Sequence, residues 1–165
     1  MIYKKLNDEK NEIGTEYTPQ EEISEEQLRQ TMITLYFKEK ETGKITPEAR
    51  KIDANLLAKD PYLYLLTELV NGPKNERLEK LIPDGTKVNK IELKGSVLWI
   101  DFSKEFVQNV KEGDEEKVIE SIVNTLTELN EISSVKILIE GEEGKGFLNG
   151  DINFNSPFER GNQVS

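Results

Sequence analysis

Cysteine and histidine are both missing from the 165 residues. Without a thiol there is no thiolate nucleophile, no disulfide and no thiolate metal site. Without an imidazole there is no Ser-His-Asp triad, no histidine base and no histidine-ligated zinc. Basic charge is short as well: 22 Lys and Arg face 32 Asp and Glu, a formal charge of -10. Such a surface repels phosphate, and the lysines of "KVNKIELK" are interleaved with Glu92 rather than gathered in a patch. Nucleic acid is therefore not an expected partner. No apolar run approaches the roughly 18 residues of a membrane span. The opening "MIYKKLNDEKNEIGTEYTPQ" lacks a signal peptide's apolar centre. The expectation is a chain that is either cytoplasmic or begins after a removed targeting segment.

What is present suffices for one domain. A hydrophobic content of 35% supports a core that needs neither metal nor disulfide. Residues 1–30 carry eight acidic and four basic side chains without sustained apolar periodicity, and read as a flexible acidic leader. The folded domain is expected over 31–160, followed by a short tail at 161–165. "TMITLYF" alternates as a strand, and a looser strand with Pro47 near its start follows a turn at Gly43. Asp60-Pro61 opens a helix whose apolar residues recur through Val70 until Asn71-Gly72-Pro73 stops it. Val88–Leu93 and Val97–Phe102 read as a hairpin, Asp114 starts a second helix, and "VKILIE" is a final strand. The order β-β-α-β-β-α-β predicts an α+β fold, with two helices on one face of a mixed sheet.

Carboxylates, Lys, Tyr, Ser and Thr remain for chemistry; paired carboxylates are the catalytic option with numbers behind it, and Asp101 and Glu140, each at a strand end, are the pair to consider. In a chain with 32 acids some pair always qualifies, so no catalytic residue is assigned and an enzyme is not the expectation. "DINFNS" from Asp151 imitates the start of a calcium loop, but Ser156 and Asn162 stand where that motif needs Gly and Glu. No metal or cofactor is expected. "NGPK" and "PDGT" are turns that lack the Lys-Ser/Thr of a phosphate loop.

Four residues stand out as interface candidates: Arg50, Trp99, Asn124 and Arg160. The arginines lie at the margins of the folded region among acidic residues, where surface pairing with Glu48 or Glu159 is the simpler reading. Trp99, inside "VLWIDF", is read first as core and second as a partner-facing strand position. In the second helix Ile119, Ile122, Val123 and Leu126 form the buried stripe. Asn124 therefore projects away from its centre, towards a loop backbone or a partner. Thr125 flanks the stripe and is expected to pack its methyl or to bond a carbonyl one turn back.

Taken in order, "ITLYF", "LLTELVNGPK", "IPDGTKV", "DFSKEF" and "IVNTLTELNEISSVKILIEG" resemble the GerMN domain, named for sporulation and spore germination proteins of Gram-positive bacteria. The resemblance runs from Thr31 to about Arg160. It implies an extracytoplasmic, non-catalytic module tethered to a membrane as a lipoprotein or behind a signal anchor. It also implies a fold like that of ring-building modules. The partners it implies are envelope proteins of the sporulation or germination apparatus, with peptidoglycan or a small ligand as the alternative and an oligomer compatible with either. Two departures are visible: no lipid-bearing cysteine or anchor segment is present, and there is room for a single copy of a domain that some members carry twice.

Overall fold

A computed structural model of the chain describes residues 28–161. The leader expected over 1–30 lies outside them apart from Leu28 to Gln30, as does the tail after Gly161. The hydrophobic core lies within the compact unit that begins at Met32.

The strands are β1 (Gln30–Glu39), β2 (Ile45–Asp53), β3 (Leu78–Glu79), β4 (Val88–Lys94), β5 (Val97–Phe102), β6 (Ser134–Ile139) and β7 (Phe158–Glu159). The helices are α1 (Asn55–Ala58), α2 (Pro61–Asn71), α3 (Glu105–Gln108) and α4 (Glu115–Leu126). This is an α+β fold. The strands divide between two sheets, β2-β1-β3 and β4-β5-β6-β7. The second is mixed: β5 and β6 run parallel, joined through α3 and α4, while β4 and β7 flank them antiparallel.

Local chemistry explains the two long helices. Asp60 caps α2, its Oδ1 accepting the Leu63 N–H at 3.1 Å, and Pro61 occupies the first turn, where no donor is needed. Gly72 ends that helix at φ 99°, a value other residues rarely adopt. At α4, Glu115 and Glu116 meet the positive end of the helix. Asp114 makes no side-chain cap there; its carboxylate takes the Lys38 ammonium of β1 at 2.9 Å instead.

The core lies between the inner faces of the strands and the two long helices. Leu98, Ile100 and Phe102 of β5, Val135 and Ile137 of β6, and Val118, Ile119, Ile122, Val123 and Leu126 of α4 are fully buried. A chain of rings closes one end of this core. Phe102 stacks on Phe106 with centroids 4.3 Å apart, Phe106 meets Phe147 at 5.6 Å, and Phe147 meets Phe154 edge-on at 5.1 Å. The last two rings belong to an excursion between β6 and β7, where Gly146 bridges Asn153. A Cβ on Gly146 would lie 2.6 Å from the Ile152 carbonyl oxygen, so the two arms approach at a distance only glycine allows.

The other face of the sheet β4-β5-β6-β7 is open over β4 and β5, while the excursion before β7 covers Lys136 of β6. Glu92, Trp99 and Lys136 stand side by side in one row across β4, β5 and β6, and Lys90, Asp101 and Leu138 form the next. Neither long helix covers these rows.

Candidate functional site

The open sheet face carries a cleft of about 290 Å³ lined by Lys90, Glu92, Lys94, Trp99, Asp101 and Leu138, with Gly141 and Glu143 at its rim. Trp99 is half-buried, on the face opposite the core residues Leu98 and Ile100. The core placement read for Trp99 is thus replaced by the open-face one, because strand alternation sends position 99 outward. Its indole is flanked by ammonium groups: Lys94 Nζ lies 4.0 Å and Lys136 Nζ 5.8 Å from the ring centroid.

Lys136 is the unexpected member. Its residue is 4% exposed, and its ammonium donates to the carbonyls of Phe154 (3.1 Å) and Asn155 (2.6 Å), with Glu143 at 3.4 Å. It thereby fastens the excursion before β7 beside the cleft. Nothing in "VKILIE" distinguishes this lysine from a solvated one; the signal lies in the polar stretch that covers it, far along the chain.

The carboxylates considered for catalysis are engaged by backbone. Asp101 Oδ1 accepts the Gly141 N–H at 2.8 Å, and Glu140 Oε2 accepts the Lys104 N–H at 2.8 Å. They lie at the same end of neighbouring parallel strands, where they tie β5 and β6 to the turns beyond them. The Asp151 stretch behaves as a bend: Asp151 is exposed and the Asn153 side-chain oxygen accepts the Asn155 N–H at 3.0 Å. Among the described residues no group of three or more acidic side chains is placed to hold a metal ion.

Arg50 lies in neither the cleft nor the exposed surface. Its partner is Glu48, as read from the sequence, but the pair is buried rather than superficial, with side chains 7% and 8% exposed. Nε donates to Glu48 at 2.7 Å, Nη1 to Glu68 at 2.7 Å and Nη2 to the Gly72 carbonyl at 2.8 Å. Glu48 also accepts the N–H groups of Lys74 and Asn75. Burial alone would raise the Glu48 carboxyl. The Asn75 amide, the Arg50 guanidinium and the Lys74 amide outweigh it and hold the group below the usual carboxylate range. Arg50 therefore joins β2 to the end of α2.

Asn124 and Arg160 meet at the C-terminal end of α4. Arg160 Nη1 reaches the Asn124 carbonyl at 3.5 Å and Glu128 at 3.2 Å, and its Nη2 donates to the Tyr36 hydroxyl at 2.7 Å. That hydroxyl donates to Glu128 at 2.6 Å. A cation over the last turn of a helix suits its partial negative charge. The Tyr36 hydrogen bond, with help from Arg160, holds Glu128 below its ordinary value against a smaller effect of burial. The expected partner Glu159 is replaced by Glu128, because β7 turns Arg160 back across α4. Among the described residues the Asn124 side-chain oxygen is buried without a hydrogen-bond partner.

Thr125 has a different role from the one its helix position suggests. Its Oγ1 accepts the Tyr36 N–H at 3.0 Å, while the Ser121 hydroxyl donates to the Tyr36 carbonyl at 2.5 Å. The side chains of α4 thus satisfy the β1 edge where β3, paired only at Lys38 and Glu39, does not reach. Bonding one turn back falls to Thr127, to the Val123 carbonyl at 2.7 Å.

Comparisons with known proteins agree on the class. The family model described as Germane, sporulation and spore germination, matches residues 34–145. The spore germination protein GerM of Bacillus subtilis is 38% identical over 78 residues, which is 45% of this chain and 21% of that protein. The chain thus matches about a fifth of the length of this curated relative. Among solved structures, the first GerMN domain of the sporulation protein GerM from Bacillus subtilis superposes with a TM-score of 0.68 at 26% identity. That match covers 79% of this chain and 98% of the domain. A Clostridium perfringens protein assigned as a lipoprotein gives 0.54 at 25% identity, covering 84% and 93%. With two thirds of its length inside the family model and its fold shared with a GerMN domain, the chain belongs to the Germane family of sporulation and spore germination domains.

Proposed function

We propose that the domain is a non-catalytic interaction module of the cell envelope, helping to assemble or stabilise a complex used in sporulation or spore germination. The open face around Trp99 carries this reading. It is the face neither long helix covers, and it holds the single tryptophan, a residue type enriched at protein contacts, inside a polar surround of Lys, Asp and Glu. The family supports the process, and the lipoprotein assignment of the Clostridium perfringens relative supports an extracytoplasmic, tethered setting. No described helix is long and apolar enough to cross a membrane.

The test is capture from crosslinked envelope extracts of sporulating cells, with the wild-type chain and two variants as bait. Trp99→Ala should lose a defined set of membrane proteins that Lys59→Glu, on the helical side, retains. Equal capture by both variants would refute the role of this face. A second reading, a peptidoglycan or small-ligand site, draws on the tryptophan at the floor of the cleft. It requires saturable binding to isolated sacculi that is lost in Trp99→Ala.

A further inference from the structure

We propose that Asn149 is a site of spontaneous modification, converting to Asp and isoAsp through a succinimide, and that the fold protects the chain's other Asn-Gly pair, Asn71-Gly72, from the same reaction. The chemistry needs only water. The backbone nitrogen of the next residue attacks the asparagine Cγ, and a C–N bond forms. The side-chain nitrogen leaves as ammonia, taking up the proton of the attacking N–H. Water then opens the cyclic imide at either carbonyl, giving Asp or the backbone-lengthened isoAsp. Three conditions favour it: a free N–H, a backbone able to bring that nitrogen to the side chain, and no β-carbon in the way.

Asn149-Gly150 meets all three. Residues 148–151 form the tip of the excursion, beyond the bond from the Phe147 N–H to the Ile152 carbonyl (3.4 Å), and all of them are exposed. Among the described residues neither the Asn149 side chain nor the Gly150 N–H makes a hydrogen bond. Gly150 sits at φ 95° with nothing within 4 Å of an added Cβ. Asn71-Gly72 meets only the last of them. Asn71 is the last residue of α2, the Gly72 N–H donates to the Glu68 carbonyl at 3.1 Å, and the Gly72 carbonyl is held by Arg50. Gly72 is buried, and a Cβ there would touch Lys80 at 3.5 Å. The two sites share a dipeptide and differ in what holds the attacking nitrogen.

The consequence is local. Phe147 and Phe154 anchor the excursion in the ring cluster, while Leu148 at the tip is 69% exposed. Conversion therefore adds one negative charge beside Leu148 and Asp151 and leaves the core packing as it was. A chain that ages becomes more acidic at one defined place.

The full chain is incubated folded, at neutral and at mildly alkaline pH, and digested with trypsin. Cleavage after Lys59, Lys74, Lys145 and Arg160 puts the two sites in separate peptides, 60–74 and 146–160. The expected result is that 146–160 splits into Asn, Asp and isoAsp forms, faster at the higher pH, with fragmentation placing the change at 149. Peptide 60–74 stays unchanged until the incubation is repeated in denaturing urea, where it converts too. Gly150→Ala should stop the conversion on the same timescale. Equal conversion of both peptides in the folded chain, an unchanged 146–160, or a change at Asn153 or Asn155 instead would each overturn the proposal.

Discussion

Truncating Arg50 tests the buried network joining β2 to the end of α2. Arg50→Ala leaves the Glu48 carboxylate enclosed with two amide donors and no counter-charge, and strips Glu68 and the Gly72 carbonyl of a donor. Removing one member of a buried pair costs about 3–5 kcal/mol. The amide bonds that Glu48 keeps, and the 21% exposure of Glu68 that lets water replace the guanidinium, place the expectation near the lower end, about 3 kcal/mol. At roughly 2–5 °C per kcal/mol for a domain of this size, Tm should fall by roughly 6–15 °C. Glu48→Gln keeps the shape and some of the bonds and should cost about 1–3 kcal/mol. The pH dependence separates charge from shape. Because the folded Glu48 carboxyl lies below its unfolded value, its stabilisation is present above about pH 4.3 and is lost as pH falls through the lower folded value. The gap between wild type and Glu48→Gln in urea unfolding should therefore be full at neutral pH and narrow in acid. A loss below about 1 kcal/mol for Arg50→Ala would place the pair among surface ion pairs and refute the reasoning. So would a gap that stays constant into acid.

Three further changes probe the joints between elements. Thr125→Val strands the Tyr36 N–H and should cost about 1–3 kcal/mol, with faster amide exchange at Tyr36 as the readout that a general loss of packing would not single out. Gly146→Ala forces a Cβ to 2.6 Å from the Ile152 carbonyl oxygen and should cost about 1–3 kcal/mol, seen as early proteolysis within the excursion. Arg160→Ala removes a guanidinium whose side chain is 43% exposed; water replaces it, and urea unfolding should move by less than about 1 kcal/mol.

The sequence discloses elements better than joints, and particular residues show why. Asp60-Pro61 and Gly72 bound a helix by short-range rules of capping and backbone freedom, so α2 is legible to within a residue. The β4–β5 hairpin is written in the Lys94-Gly95 turn between two runs rich in β-formers, the first of them alternating. The split into two sheets is not written locally. It depends on β1 finding β3 at Lys38 and Glu39 while Ser121 and Thr125, some 90 positions away, take the Tyr36 edge. A helical Thr has a default partner one turn back, and only the neighbouring strand displaces it. Arg50 shows the same limit: its pairing with Glu48 is readable at a spacing of two, but its burial under α2 is a tertiary fact. Trp99 is ambiguous in sequence because "VLWIDF" is apolar on both faces, and alternation settles the direction only once Leu98 and Ile100 are known to face the helices.

These joints narrow where an outward-facing function can sit. Arg50, Arg160, Asp101 and Glu140 each hold backbone or side chains of this same domain, and the Asn124 carbonyl is reached by Arg160, so a partner would have to break a fold contact to engage them. Trp99 differs. Its covering groups are lysine ammonium ions, an arrangement worth about 0.5–1 kcal/mol per contact at an exposed site. Lys94 is exposed, and among the described residues its ammonium makes no hydrogen bond or ion pair, whereas Lys136 is held by two carbonyls. An incoming surface can therefore displace Lys94 and bury the indole at small cost while Lys136 keeps the cleft wall in place. In the proposed role the face would be pre-organised on one side and yielding on the other. Lys94→Ala, which uncovers the ring without altering the wall, should then tighten partner capture where Trp99→Ala abolishes it.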